Sequence, residues 1–126
     1  MQQVVIDTNV LIAWYKAGGI ASSKDLSTIA PIFSIITKME ALGFQYITNI
    51  EIKSINSMLT NGELVYINDV IAEQTIGLRQ KYKIKTPDAI IAATALTYNA
   101  ELWTANTSDF TNIQGLKLFN PLPSAP

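Results

Sequence analysis

Lys85-Thr86-Pro87-Asp88-Ala89-Ile90-Ile91-Ala92-Ala93-Thr94-Ala95-Leu96 is the stretch on which the fold of this chain turns. Thr86 can cap a helix, Pro87 suits its first turn, and alanine with isoleucine carries it through residues 86–98. Beyond that first turn the polar positions are Thr94 and Thr97. A helix that is apolar nearly all round belongs inside a domain. Its one charge, Asp88, sits at the mouth, where free backbone N–H groups and the helix dipole favour an anion. A capping carboxylate and a functional carboxylate at the edge of a rigid core both fit that position. Whether other acids arrive at the same kind of place decides between them.

Working outward, Val4-Val5-Ile6 is a short β-branched run closed by Asp7-Thr8-Asn9, which predicts a buried strand. Val10, Leu11, Trp14 and Tyr15 then recur at helical spacing up to Gly18-Gly19, a stop signal. Residues 20–30 read as a polar connection. Pro31-Ile32-Phe33-Ser34-Ile35-Ile36 predicts a second strand, with Pro31 at its permitted first position. Thr37 would cap the next helix, and Thr37-x-x-Glu40 matches a capping box. Ile52, Ile55, Met58 and Leu59 share one face of a helix ending at Asn61-Gly62. Leu64-Val65-Tyr66-Ile67 is a third strand, and Asn68 or Asp69 caps a helix bearing Ile71, Thr75, Leu78 and Tyr82 on one face. Past the core helix, Leu102-Trp103-Thr104 is a fourth strand, residues 106–110 a turn, and Leu116-Lys117-Leu118-Phe119 a fifth strand. Residues 120–126 form a Pro-rich end that continues no regular structure. With no internal repeat or linker, residues 1–126 read as a single domain. Strands alternating with helices make it α/β, with a mainly parallel central sheet of four to five strands and helices on both faces.

Composition narrows the chemistry. The chain has 126 residues, enough for one real core. It contains neither cysteine nor histidine. That removes disulfides, thiolate sites, serine–histidine triads and histidine-based zinc sites, and fits a cytoplasmic protein. No apolar run approaches the roughly 20 residues of a membrane span. Charged residues are 15% of the chain, against about 25% in an ordinary protein. So few charges suggest a surface partly covered by a partner chain. The net charge of −1 argues against tight nonspecific nucleic-acid binding by the whole surface, but not against a local basic patch.

In parallel sheets ligands bind beyond the C-terminal ends of the strands. Asp7 directly follows strand one, Glu40 lies early in the helix after strand two, Asp88 opens the core helix, and Asp109 follows strand four. The other six acids read as caps, loop residues or solvated faces. Two carboxylates about 4 Å apart repel by about 4 kcal/mol at an effective dielectric near 20. A fold keeps such a cluster when a cation occupies it, and oxygen-only donors select hard divalent ions, Mg²⁺ or Mn²⁺. Such ions activate water for in-line attack on phosphorus, so the pattern points toward phosphodiester hydrolysis.

Four blocks also carry a resemblance: Val5-Ile6-Asp7-Thr8-Asn9, Ser34-x-x-Thr37-x-x-Glu40-x-x-Gly43, Pro87-Asp88-x-x-Ile91-Ala92-Ala93-x-Ala95 and Thr104-x-Asn106-x-x-Asp109-Phe110. In order and spread they resemble the PIN domain, particularly the VapC-type toxins of toxin–antitoxin pairs, over residues 2–119. Each block alone is weak; four in register are strong. The resemblance implies a PIN-like three-layer sandwich and a metal-dependent endoribonuclease. Asp7, Glu40, Asp88 and Asp109 would be its catalytic acids and would hold one or two Mg²⁺ or Mn²⁺ ions. A metal-bound water would cut RNA to 5′-phosphate and 3′-hydroxyl ends. Thr8, Asn9 and Thr104 would orient ligands or waters. Many members carry an acid where this chain has Asn106, so either Asp109 is the fourth ligand or Asn106 shares that role. The resemblance further implies a cognate antitoxin and a homodimer. The helix over residues 50–59, with the first helix, could line a groove for an antitoxin segment.

Arg79, Lys81, Lys83 and Lys85 place four of nine positive charges within seven positions. They cannot share one helical face, so part of the run should be extended. Cations decorating a helix C-terminus explain it structurally; leading RNA phosphates toward Asp88 explains it functionally. Trp14, Tyr15, Phe44 and Tyr46 read as core or interface aromatics rather than base-stacking platforms. Two rival functions stand beside the nuclease. One is a metal-dependent phosphohydrolase for a small molecule, against which there is no Asp-x-Asp motif and no Gly-rich phosphate loop. The other is a noncatalytic PIN-like binding module, which loss of several acids would signal.

Overall fold

A computed structural model of the chain describes residues 1–16 and 28–122. The elements run β1 (Gln2–Ile6), α1 (Thr8–Lys16), β2 (Ile29–Ser34), α2 (Ile35–Leu42), α3 (Asn49–Leu59), β3 (Glu63–Val65), α4 (Asp69–Lys81), α5 (Thr86–Thr97), β4 (Glu101–Trp103), a single 3₁₀ turn (Thr107–Asp109) and β5 (Leu118–Phe119). The five strands make one sheet in the order β3-β2-β1-β4-β5, and every pairing is parallel. Parallel neighbours need a crossover, which the intervening helices supply. Among the described residues no helix is long and apolar enough to cross a membrane.

Alternation along the strands divides the core in two. Val5, Ile32, Val65 and Leu102 face one side and pack with Ile71 and Leu78 of α4 and the apolar run of α5. Val4, Ile6, Phe33 and Trp103 face the other and pack with Val10, Leu11 and Trp14 of α1, Ala41 of α2, and Ile55 and Leu59 of α3. Ala89 through Ala95 are all buried, so α5 is the core helix its composition predicts. Trp103 sits edge-on to Trp14, with ring centroids 6.1 Å apart.

Several boundaries differ from expectation. Ile29 and Ala30 belong to β2, so Pro31 lies inside the strand rather than opening it. It is tolerated because β3 begins opposite Ile32, leaving Pro31 a neighbour only in Val4 of β1. Ile35 and Ile36 start α2 instead of ending β2. The cap is Ser34, whose hydroxyl accepts from the Ile36 N–H at 3.1 Å. Thr37 is therefore no cap, and no capping box joins it to Glu40. The capping box of this region is Thr48 with Glu51, at the start of α3. Thr86 is the first residue of α5 and Lys85 holds the cap position without a side-chain bond. Asn68, rather than Asp69, caps α4 through the Ile71 N–H at 2.9 Å. The Gly18-Gly19 stop and most of the connection over residues 20–30 lie outside the described residues, as does the end of the Pro-rich tail.

Gly62 joins α3 to β3, close against Pro31 and Phe33 of β2. A β-carbon there would stand 2.5 Å from the Pro31 carbonyl oxygen and 2.7 Å from Cε2 of Phe33. Gly62→Ala should destabilise the fold by about 1–3 kcal/mol, the cost of overpacking against backbone. A lower urea midpoint with an unchanged denaturant slope is the expected readout; an unchanged midpoint would mean that β3 shifts freely.

Candidate active site

The site is built where β1 and β4 end side by side. The Asp7 N–H donates to the Trp103 carbonyl at 3.0 Å, extending the β1–β4 ladder by one bond. The carboxylate that follows is only 7% exposed. A buried carboxylate is costly unless its lone pairs are filled, and here three donors fill them. Oδ1 accepts from the Thr8 N–H at 2.8 Å. Oδ2 accepts from the Thr104 hydroxyl at 2.8 Å and from Asn9 Nδ2 at 3.3 Å. Asn9 Oδ1 in turn accepts from the Ala105 N–H at 3.1 Å, and the Thr104 hydroxyl accepts from the Asn106 N–H at 3.0 Å. Since Thr104 receives that N–H, its own proton is free to go to Asp7. Thr8, Asn9 and Thr104 thus fix the Asp7 side chain.

Glu40 arrives from α2 and is exposed. The Thr8 hydroxyl donates to its Oε1 at 2.6 Å, linking α1 to α2 over the sheet edge. Thr37, one turn earlier, is fully buried with its hydroxyl toward the Ile6 carbonyl at 3.5 Å. Asp88 lies in the first turn of α5, beside the free N–H groups of a helix that no side chain caps. Asp109 ends the 3₁₀ turn after β4 and is exposed, as is Asn106.

Electrostatics binds the four acids into one site. Burial raises the Asp7 carboxyl above the ordinary carboxylate range, its three donors oppose this, and Glu40 adds to the rise. The Asp88 carboxyl is raised by partial burial, then by the negative charges of Asp7, Asp109 and Glu40, with Lys85 opposing. Each expected acid therefore faces at least one other. Among the described residues no three of them already stand in a ligand cage. The donor set nevertheless suits a hard cation: carboxylate oxygens that repel one another, with one lysine as counter-charge.

The cationic run divides as its spacing requires. Arg79 and Lys81 occupy the last turn of α4, and Tyr82 turns the backbone extended. Arg79 Nε donates to the Ile84 carbonyl at 3.4 Å. Lys81 lies 5.5 Å from the Tyr82 ring centroid and 3.5 Å from Gln114 Oε1. Those two thus serve the helix end. Lys83 and Lys85 project from the extended segment leading to Asp88. Of the four aromatics, Trp14 is core and Tyr15 half-buried, whereas Phe44 is 42% and Tyr46 88% exposed, contrary to a packing role within the chain. Sequence reasoning also missed Ser34. Its signal was a hydroxyl residue standing immediately before Ile35, with Thr37 and Ala41 at the inward helical spacing.

A family model for the PIN domain matches residues 4–116. The chain belongs to the PIN-domain family. The ribonuclease VapC1 of Rickettsia felis is 34% identical to this PIN domain over 137 aligned residues, covering 91% of this chain and 93% of that protein. A toxin–antitoxin complex from Klebsiella pneumoniae contains a chain with 31% identity and a TM-score of 0.72, over 94% of this chain and 97% of that one. In VapBC-1 from nontypeable Haemophilus influenzae the match is 26% identical with a TM-score of 0.74, over 94% and 98%. The PIN domain described here is of the VapC type, and its all-parallel sheet with helices on both faces is theirs.

Mutual repulsion has a thermodynamic sign. An acid whose folded pKa exceeds its unfolded value binds more protons when native. Its stability contribution is complete below the unfolded pKa and is lost as pH rises through the folded one. Asp88→Asn should therefore raise the Tm of metal-free protein at pH 7 and flatten the fall in Tm between pH 4 and 7. A lower Tm than the parent would make Asp88 chiefly a helix-dipole residue.

Proposed function

We propose that this chain is a metal-dependent endoribonuclease and the toxin of a type II toxin–antitoxin pair. The carrying observation is the bonded set at the C-terminal ends of β1 and β4, where Thr8 joins Asp7 to Glu40 and Thr104 holds Asp7, with the charges of Asp7, Glu40 and Asp109 raising the Asp88 carboxyl after its own burial. The ribonuclease relative supports RNA as the substrate, and the toxin–antitoxin complexes support a cognate antitoxin. The low charge content and absence of cysteine fit a single-domain cytoplasmic protein covered by a partner. Met39, Tyr46 and Ile50, all more than half exposed on α2, the α2–α3 loop and α3, offer that partner an apolar surface. Tyr66, Ile67, Val70 and Ile76, exposed on and before α4, offer a second surface for a homodimer.

Asp7, Glu40, Asp88 and Asp109 would hold one or two Mg²⁺ or Mn²⁺ ions. When bound, such an ion neutralises phosphate charge and lowers the pKa of water, the chemistry that phosphodiester hydrolysis needs. The chain's own residues do the positioning. Thr104, Asn9 and the Thr8 N–H favour the charged form of Asp7 against its burial and hold it in one orientation, and the Thr8 hydroxyl holds Glu40 beside it. Asn106, tethered through its N–H to Thr104, places a neutral amide where a further acid would add repulsion. Asp88, whose carboxyl is raised by partial burial and by the charges of Asp7, Asp109 and Glu40, is the acid most in need of a cation. Water oxygen bonds to phosphorus, the P–O3′ bond breaks, and a proton passes to O3′, leaving 5′-phosphate and 3′-hydroxyl ends. Lys83 and Lys85 lead the phosphates in, with Arg79 and Lys81 behind them.

Purified protein should cut total RNA into discrete fragments with Mg²⁺ or Mn²⁺, and EDTA or Asp7→Ala should abolish this. A folded protein that cuts nothing with any metal would make it a binding module. Lys83→Ala with Lys85→Ala should weaken RNA binding and reduce the slope of log K against log salt by about 1.4, the share of two phosphate contacts on a single strand. An unchanged slope would assign both lysines to solvent.

A further inference from the structure

Two stretches of chain that lead to or from acids of the cluster are joined to each other away from it. One is the segment of residues 82–85 between α4 and α5, which runs into Asp88 in the first turn of α5. The other follows β4 and runs from Asp109 in the 3₁₀ turn through Gln114 to β5. The Gln114 N–H donates to the Tyr82 hydroxyl oxygen at 3.0 Å. Lys81 Nζ stands 3.5 Å from Gln114 Oε1 and 5.5 Å from the Tyr82 ring centroid. The first segment is also held from behind, since Arg79 Nε donates to the Ile84 carbonyl at 3.4 Å. Tyr82 is half-buried and, with Ile84 and Leu116, packs on the core that takes in Phe110 and Ile113.

Resting on the nuclease reading, we propose that Tyr82 is a positioning residue whose hydroxyl clamps the loop bearing Asp109 to the segment leading into Asp88, and so sets the spacing of two acids that a cation must share. Asp7 is fixed by bonds to its own carboxylate. Exposed Asp109 is instead placed by the backbone that carries it: its N–H donates to the Asn106 carbonyl at 3.0 Å, and Phe110 beside it is buried. Apolar packing of Phe110 and Ile113 sets how deep the loop sits, but it is nondirectional. A hydrogen bond is directional, and fixes how the loop lies along the neighbouring segment. The two acids are near enough for the Asp109 charge to be felt at Asp88. Carboxylates that repel one another spread apart when their loops are free, and a cation must then draw them together. Held at a set spacing by the fold, they bind it more tightly. The donor at Gln114 is main chain, so the clamp depends on the side chain at position 82 and not on the one at 114.

The probe is Mn²⁺ alone, added to metal-free protein and followed by loss of the free-ion electron paramagnetic resonance signal. Tyr82→Phe removes one oxygen and keeps the ring. It should weaken Mn²⁺ binding about two- to tenfold, the equivalent of one ordinary hydrogen bond, and raise the Mn²⁺ needed for half-maximal RNA cleavage by the same factor. Gln114→Ala should bind Mn²⁺ as the parent does. Leu59→Val, in the core at the end of α3, should lower the melting temperature without moving Mn²⁺ binding, which separates positioning from general loosening. Equal Mn²⁺ binding by Tyr82→Phe and the parent would overturn the clamp and leave the nuclease reading. Gln114→Ala or Leu59→Val as weak for Mn²⁺ as Tyr82→Phe would overturn it equally. A parent that binds Mn²⁺ more tightly than Tyr82→Phe, yet cuts no RNA, would support the clamp and defeat the nuclease reading. A folded parent that binds no Mn²⁺ would overturn both.

Discussion

A carboxylate at the end of a central strand has few ways to exist out of water. Asp7 is one, and its lone pairs are satisfied because two separate pieces of chain bring three donors to it: the first turn of α1, through the Thr8 N–H and the Asn9 amide, and the Thr104 hydroxyl after β4. Those bonds fix how the ends of β1 and β4 sit together. The Thr8 hydroxyl, leaving the same turn, reaches Glu40 and ties the last turn of α2 to the start of α1. The charge so fixed is then felt by Asp88 at the head of α5. Hydrogen-bond demand at one buried atom pair therefore organises the chemistry of the whole edge.

The surrounding fold makes that demand affordable. Helix α5 packs its alanines and isoleucines against the sheet with no polar face to solvate, which leaves its N-terminal turn the one place where it can meet a charge. Val4 and Ile6 bury to one side of the sheet while Val5 buries to the other. A slip of one residue in β1 would exchange those faces and carry Asp7 away from Thr104. Registry in the core and geometry in the site are the same constraint.

Much of this was legible in the residues themselves. Periodicity found α1, α3 and α4, an all-round apolar composition found α5, a β-branched run found β1, and short apolar runs found β3 and β4. Asp7, Asp88 and Asp109 were visible because each follows a strand or opens a helix, whereas Glu40, expected early in its helix, lies in the last turn of α2 because that helix is only eight residues long. Ile35-Ile36 misled because β-branched residues also suit a helix once Ser34 caps it and tertiary packing takes its turns. Thr86 misled because Pro87 can occupy the second helical position as well as the first. The bond from Gln114 to Tyr82 was invisible: the two lie 32 positions apart, and only the packing of the loop after β4 against the end of α4 brings them together. Lys81 looked like its neighbours in the basic run until Tyr82 and Gln114 claimed it.

The strand order has a consequence for when this protein can act. β1 is central, yet its partner β4 is made almost a hundred residues later, and Asp7 waits 97 positions for the Thr104 hydroxyl. A nascent chain still on the ribosome lacks that partner, so its first acid is neither buried nor oriented. Of the last two acids of the cluster, Asp88 emerges before Thr104 and Asp109 after it. A site built in this order cannot be complete before Thr104 and Asp109 have both been made.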